Sequence, residues 1–224
     1  MPKSAHFRPD LFQFLVELKF HNERPWFQEN KPRYEAFLKR PMLEFIADLA
    51  APLKKVNPAY LADPRPQGGS LFRIYRDTRF ARDKTPYKTH AAAHFLHRRV
   101  GRDHHTPAFY LHLEPGESFA AAGIWQPESE PLKRIRNFIV HRPLAWRKVK
   151  ATGLGLWGED SLKRPPKGFD PEHPFLEDLK RRHFILWADF TDRQVFSPGF
   201  LDLVVKAYRR MNPLVLFLEK ALGM

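Results

Sequence analysis

Six basic residues crowd one short stretch of the chain: Arg73, Arg76, Arg79, Arg82, Lys84 and Lys88. Only Asp77 and Asp83 stand among them. Planar guanidinium groups at this density suit a phosphate or a carboxylate, which they grip through paired N–H donors. The spacing predicts an anion clamp in which Arg73, Arg76, Arg79 and Lys84 surround the ligand. Tyr87 is expected to donate its hydroxyl, with Lys88 and the two acids completing the site. Alternatively the acids bridge neighbouring arginines and pin the loop. Two carboxylates cannot neutralise six cations, so positive charge is left for another partner. Asp77 and Asp83 are poor general acids in such surroundings, because nearby cations stabilise the ionised form. They suit ion pairing or, as a lesser alternative, Mg²⁺ beside a phosphate.

Histidines supply the second constellation. On a strand, His90 and His94 share a face but lie about 13 Å apart, too far to hold one ion together. His112 or Glu114 on the next strand could join one of them, depending on register. That permits a metal or acid–base site on the polar face of the sheet. The simpler expectation is a hydrogen-bonded polar layer, and no metal or other cofactor is assigned. Tyr75, Tyr110, Trp125, His90 and Arg73 could line a pocket on the sheet face away from the helices. Mixed aromatic and basic groups on a sheet also suit single-stranded nucleic acid.

Two further basic stretches carry weaker signals. Lys163, Arg164 and Lys167 sit in a loop stiffened by Pro165 and Pro166. That loop is either a lid over the anion site or a rigid connector. Residues 97–105 carry Arg98, Arg99 and Arg102 among histidines, as a nucleic-acid contact or a solvated tip.

Several mechanisms have no support. There is no Gly-x-Ser-x-Gly elbow and no phosphate-binding Gly-x-x-x-x-Gly-Lys loop. The 224 residues include no cysteine, which removes disulfides, thiolate nucleophiles and cysteine-ligated metals. Hydrophobic residues make up 43% and charged residues 28%, the balance of a folded protein. The first ten residues lack the apolar core of a signal peptide, and no run approaches the ~18 apolar residues of a membrane span. A cytoplasmic protein without membrane contact is expected. The formal net charge of +13 favours anionic partners, either a small molecule or a nucleic acid.

The elements that must position these groups follow from periodicity. Residues 1–57 read as helical, with Asp10 as a cap and Leu11, Phe14, Leu15 and Leu18 on one face. Pro25, Pro32 and Pro41 each mark a helical restart. A turn-rich connector spans residues 64–70. Beyond it the period becomes two, predicting strands over residues 71–76, 88–97, 108–114 and 118–125. Glu114-Pro115-Gly116-Glu117 is a hairpin turn. Helices return at Ser129, a loop fills residues 153–174, and residues 175–182 read as a short helix. A fifth strand is expected over residues 183–190. Leu201, Val204, Val205 and Tyr208 define a final helix, restarted at Pro213. Residues 1–224 thus read as one domain: helical over 1–57, sheet over 70–126, then helical with one added strand over 129–222. The class is α+β, with a central antiparallel sheet of four to five strands and terminal helices packed mainly on one face.

The motif Arg73-x-x-Arg76-Asp77-x-Arg79-Phe80-x-x-Asp83-Lys84-x-x-Tyr87 resembles the signature of a bacterial and fungal family of conserved hypothetical proteins, domain-of-unknown-function family twenty-four sixty-one. Trp26-Phe27-x-x-Asn30-Lys31-x-x-Tyr34, Gly123-Ile124-Trp125-Gln126-Pro127, Leu162 to Phe169 and His173-Pro174 extend the likeness over nearly the whole chain. The resemblance implies a single-domain cytoplasmic protein and brings no activity with it. Three functions stay open: a small-anion site with or without catalysis, a nucleic-acid surface, and an interaction module built on an Arg/Asp ion-pair network.

Overall fold

A computed structural model describes residues 4–100, 106–157 and 160–224. Residues 101–105 of the basic tip lie outside the described residues. Prolines open the helical N-terminal region. Pro9, Pro25, Pro32 and Pro41 occupy the first or second positions of α1 (Pro9–Phe20), α2 (Arg24–Glu29), α3 (Lys31–Tyr34) and α4 (Arg40–Val56). There a missing N–H costs nothing and the fixed φ suits the helix. A π-helical turn, Glu35–Lys39, joins α3 to α4. Asp10 is not the cap of α1. Arg8 takes that place, and Asp10 sits in the first turn, where its charge complements the helix dipole.

Five strands form one sheet: β1 (Tyr60–Leu61), β2 (Ala91–His97), β3 (Ala108–Leu113), β4 (Ser118–Ile124) and β5 (Phe184–Phe190). They lie in chain order, each antiparallel to its neighbour. The class is α+β, as expected, but the expected strand over residues 71–76 does not form. Its alternation is real, yet it meets partners only through single bridges, Leu71 with Ala93 and Tyr75 with Tyr87. Beyond the bond from Phe72 N to Ala92 O the segment leaves the β2 edge and pairs with the end of its own loop, Arg76 N donating to Pro86 O and Lys88 N to Ile74 O.

The remaining helices are α5 (Ser129–His141), α6 (Pro143–Lys150), α7 (Leu176–Leu179), α8 (Asp192–Val195) and α9 (Phe200–Leu222). Ser129 is the first helical residue, and Glu128 stands at the cap position. The helix expected over residues 175–182 is confined to the single turn of α7. Pro213 does not restart a helix but lies inside α9. Met211, Leu214 and Val215 around it are fully buried, so packing outweighs the lost backbone bond.

The sheet's two faces differ sharply. Phe95, Phe109, Leu111, Ala120, Ala122, Phe184 and Leu186 turn to one side and are at most 1% exposed. Tyr208 of α9 meets Phe109 there, with ring centres 4.9 Å apart. α9 packs on β4 and β5, while α4 packs on α9 and β1. Strand alternation sends His94, Tyr110, His112, Phe119, Ala121 and Trp187 to the opposite face. Among the described residues, no helix is long and apolar enough to cross a membrane.

Candidate functional site

The basic loop is closed on itself. The Arg76 N–H donates to Pro86 O at 2.9 Å and the Lys88 N–H to Ile74 O at 2.8 Å, zipping its two ends together. Both acids are used internally. Arg79 donates to Asp77 through Nε and Nη2 at 3.0 and 2.7 Å. Arg76 donates to Asp83 and to the Thr85 hydroxyl. These bonds hold both carboxyls down at about 2. Arg79's side chain is the main cause for Asp77; for Asp83 it is the Thr85 N–H, then Arg76. Lys84 donates to the Thr78 carbonyl at 2.9 Å and staples the loop's interior. Among the described residues, Arg73, Arg82 and Lys88 form no ion pair with a carboxylate.

Tyr87 belongs to the core. It is 2% exposed and stacks on Phe27, with ring centres 4.1 Å apart and planes 19° apart. Asn22 clamps its backbone from both sides, donating to Tyr87 O at 2.9 Å and accepting from Tyr87 N at 3.0 Å. The expected ligand donor is therefore the anchor that ties the loop to the N-terminal helices.

A groove of about 780 Å³ opens on the sheet face opposite α9. Phe72 stands at its β2 side, and Trp125 and Trp157 at its β5 side. Tyr110, Phe119 and Trp187 add aromatic wall. The floor is made of small residues, because Ala108 pairs with Gly123 and Tyr110 with Ala121 across β3 and β4. Gly123 is required where it stands. Its φ is +139°, and a Cβ there would fall 1.9 Å from the Phe184 carbonyl oxygen. Glu117 and Asp189 lie along the same groove.

Phe72 links groove and basic loop. The Lys88 ammonium lies 4.8 Å from the Phe72 ring centre. Lys88 is half-buried, and burial lowers its pKa, with Arg73 adding a smaller push in the same direction. A half-buried ammonium without a carboxylate has an unmet demand for negative charge.

His90, His112 and Glu114 gather on the same face. The His90 and His112 ring centres are 4.4 Å apart. His112 Nε2 is 3.0 Å from Glu114 Oε2, and its Nδ1 is 3.0 Å from the Tyr110 hydroxyl. Phe119 stacks on the His112 ring, with planes 11° apart. Burial, then His112, pushes the His90 imidazole down to about 4. Burial, with help from Glu114, raises the Tyr110 phenol to about 12. His94 is not part of this trio. Its ring lies 4.4 Å from that of Phe72.

Trp125 is 49% exposed at the groove rim and stacks on the buried His183 ring, with planes 12° apart. Lys163, Arg164 and Lys167 are exposed. Their loop follows a segment fastened to the end of α7, where Leu162 N donates to Lys180 O, and to the outer edge of the sheet, where Trp157 N donates to Ile185 O. That is the β5 edge, whereas the basic loop leaves from the β2 edge. Among the described residues no hydrogen bond or ion pair joins these three cations to residues 73–88.

Sequence reasoning missed Phe72, Phe119, Trp157 and Trp187. The available signal was the run Ala120-Ala121-Ala122-Gly123 inside a strand, which marks a place where something else must approach. An antiparallel meander with helices on one face and an aromatic groove on the other defines an α+β scaffold. Within it, the chain belongs to the family of conserved hypothetical proteins DUF2461, whose profile matches residues 10–217. Neither a curated protein nor a solved structure matches the chain.

Proposed function

We propose that this protein binds a small ligand that joins a flat apolar body to a phosphate or carboxylate. The flat body lies in the groove between Phe72, Tyr110 and the tryptophans. The anionic group turns toward Lys88 and Arg73 at the β2 side. The observation that supports this most is the contact of the Lys88 ammonium with the Phe72 ring, which joins an unpaired cation to the wall of an aromatic groove. The groove is within the size range of small-molecule sites, and its many apolar walls with few polar groups are typical of them. The anion is thus read at the loop's base, not at its tip, where Arg76 and Arg79 are committed to Asp83 and Asp77.

A single-stranded nucleic acid would use the same aromatics for stacking. Glu117 and Asp189 beside the groove oppose a continuous phosphate track, so the small ligand is preferred. A cytoplasmic setting suits a chain without cysteine.

The test is a tryptophan-fluorescence titration. Trp125, Trp157 and Trp187 line the groove, so occupancy reports directly. Anilinonaphthalene sulfonate is a suitable probe, because it combines a flat apolar body with one anionic group. A short single-stranded DNA serves as competitor at about 0.15 M salt. Saturable probe binding that DNA does not displace supports the proposal. Absence of binding, or displacement by DNA at that salt, contradicts it.

A further inference from the structure

We propose that His90, His112 and Glu114 form a site for one divalent transition-metal ion of the zinc type. Strand register brings them together. Ala91 pairs with Leu113 and Ala92 with His112, which sets His90 beside the strand end that carries His112 and Glu114. One ligand atom from each residue lies within 4.8 Å of the other two. A tetrahedral ion with bonds of about 2.1 Å holds its ligand atoms roughly 3.4 Å apart. Nε2 of His112 and Oε2 of Glu114 already approach to 3.0 Å. The His90 ligand atom lies no more than 4.8 Å from either, so a side-chain rotation of His90 or Glu114 suffices to bring the three to coordination distance.

The donor set argues for the ion class. Two imidazoles and one carboxylate favour zinc-like ions over Ca²⁺ or Mg²⁺, which prefer all-oxygen shells. The surroundings fit as well. Metal-bound histidines commonly engage their second nitrogen with an outer partner that fixes ring and tautomer. His112 does so with the Tyr110 hydroxyl, and Phe119 stacking holds its ring plane. When Nε2 binds the ion, Nδ1 carries the proton and donates to the Tyr110 oxygen. Three protein ligands leave at least one position open for water or another ligand. Lys88 carries a like charge that acts on His90. That weakens the site for a bare cation and favours an oxyanion in the open position, beside the ammonium.

The metal ligands themselves are distinct from the residues of the groove wall and its cationic end, and the two sites share only Tyr110, Phe119 and Lys88 as neighbours. Its test needs no organic ligand. Chelator-treated protein is titrated with Co²⁺, read by its visible d–d absorption, and then with Zn²⁺ in competition. One Co²⁺ per chain, displaced by Zn²⁺, is expected. His90→Asn and Glu114→Gln, each at a part-exposed residue, should weaken binding at least about 100-fold, and Tyr110→Phe about tenfold. Each variant is checked for an unchanged metal-free melting temperature. As a readout independent of the variants, Zn²⁺ should shift the imidazole NMR signals of His90 and His112 in the unaltered protein. The proposal is overturned by no saturable binding, by full affinity in His90→Asn and Glu114→Gln, or by shifts confined to other histidines. Groove binding of the sulfonate probe to metal-free protein is a separate outcome, so either proposal can fail alone.

Discussion

The Lys88 ammonium rests 4.8 Å from the centre of the Phe72 ring. This contact joins two features that the chain presents separately, the basic loop and the aromatic groove. Phe72 precedes the basic loop and Lys88 closes it, and the backbone bonds between Ile74 and Lys88 and between Arg76 and Pro86 hold both ends in register. A cation over an aromatic face is stabilised by the ring quadrupole, by roughly 0.5–1 kcal/mol when solvent reaches it. That is small beside the demand of a half-buried charge for an anion, so Lys88 remains available to a ligand.

The fold around the groove floor depends on Gly123. Its φ of +139° and the Phe184 carbonyl oxygen together exclude a side chain. Gly123→Ala should cost about 3 kcal/mol or more, since both backbone strain and a backbone clash oppose it. Urea unfolding measures this. A change below 1 kcal/mol on the order-of-magnitude scale of surface substitutions would mean that β4 and β5 are not paired at this point.

Tyr87 separates structure from binding. As a core ring stacked on Phe27, its replacement by alanine should destabilise the protein by about 3–5 kcal/mol. Tyr87→Phe keeps the ring and should leave probe affinity unchanged. If Tyr87→Phe keeps stability but loses the probe, the hydroxyl is a ligand group after all.

The loop's ion pairs set a pH dependence of definite sign. Asp77 and Asp83 have carboxyls held at about 2, below the ordinary value near 3.9. A depressed carboxylate stabilises the folded loop fully above its ordinary range and loses that contribution as pH falls through its folded value. The loop should therefore stay closed at pH 4 and open toward about pH 2. Carboxyl-carbon NMR titration of the two side chains checks this. Titration of either at an ordinary aspartate pKa would show that Arg79 or Arg76 is not holding it.

How far the sequence was legible follows from what each element depends on. The strands β2 to β5 announce themselves by alternation and by turns such as Glu114 to Glu117, which are local signals. Residues 71–76 alternate equally well, yet beyond Phe72 they pair with residues 86–88 of their own loop rather than with β2, a closure that alternation does not record. Tyr87 looked like a ligand donor because of its basic neighbours. Its partners, Asn22 and Phe27, are about sixty residues away in the chain. The His90, His112 and Glu114 trio needed the register across residues 98–107, and only the pairing of Ala92 with His112 supplies it. Phe72, Tyr110, Phe119, Trp157 and Trp187 are scattered in sequence, so the groove exists only once the sheet is assembled. The excess of cations over acids in residues 73–88 was legible directly. The structure narrows that excess to Arg73, Arg82 and Lys88, since Lys84 donates to loop carbonyls.

Groove and cation are tested together by comparing probe affinity in three proteins. Anilinonaphthalene sulfonate is titrated into the unaltered chain, Lys88→Met and Ala121→Leu, with tryptophan fluorescence as the readout. Lys88→Met preserves bulk but removes the charge and should weaken binding about tenfold or more, the scale of a lost charge-assisted contact. Ala121→Leu fills the floor and should abolish binding while the melting temperature stays near that of the unaltered protein. Equal affinity in all three would contradict the assignment of ligand binding to this groove.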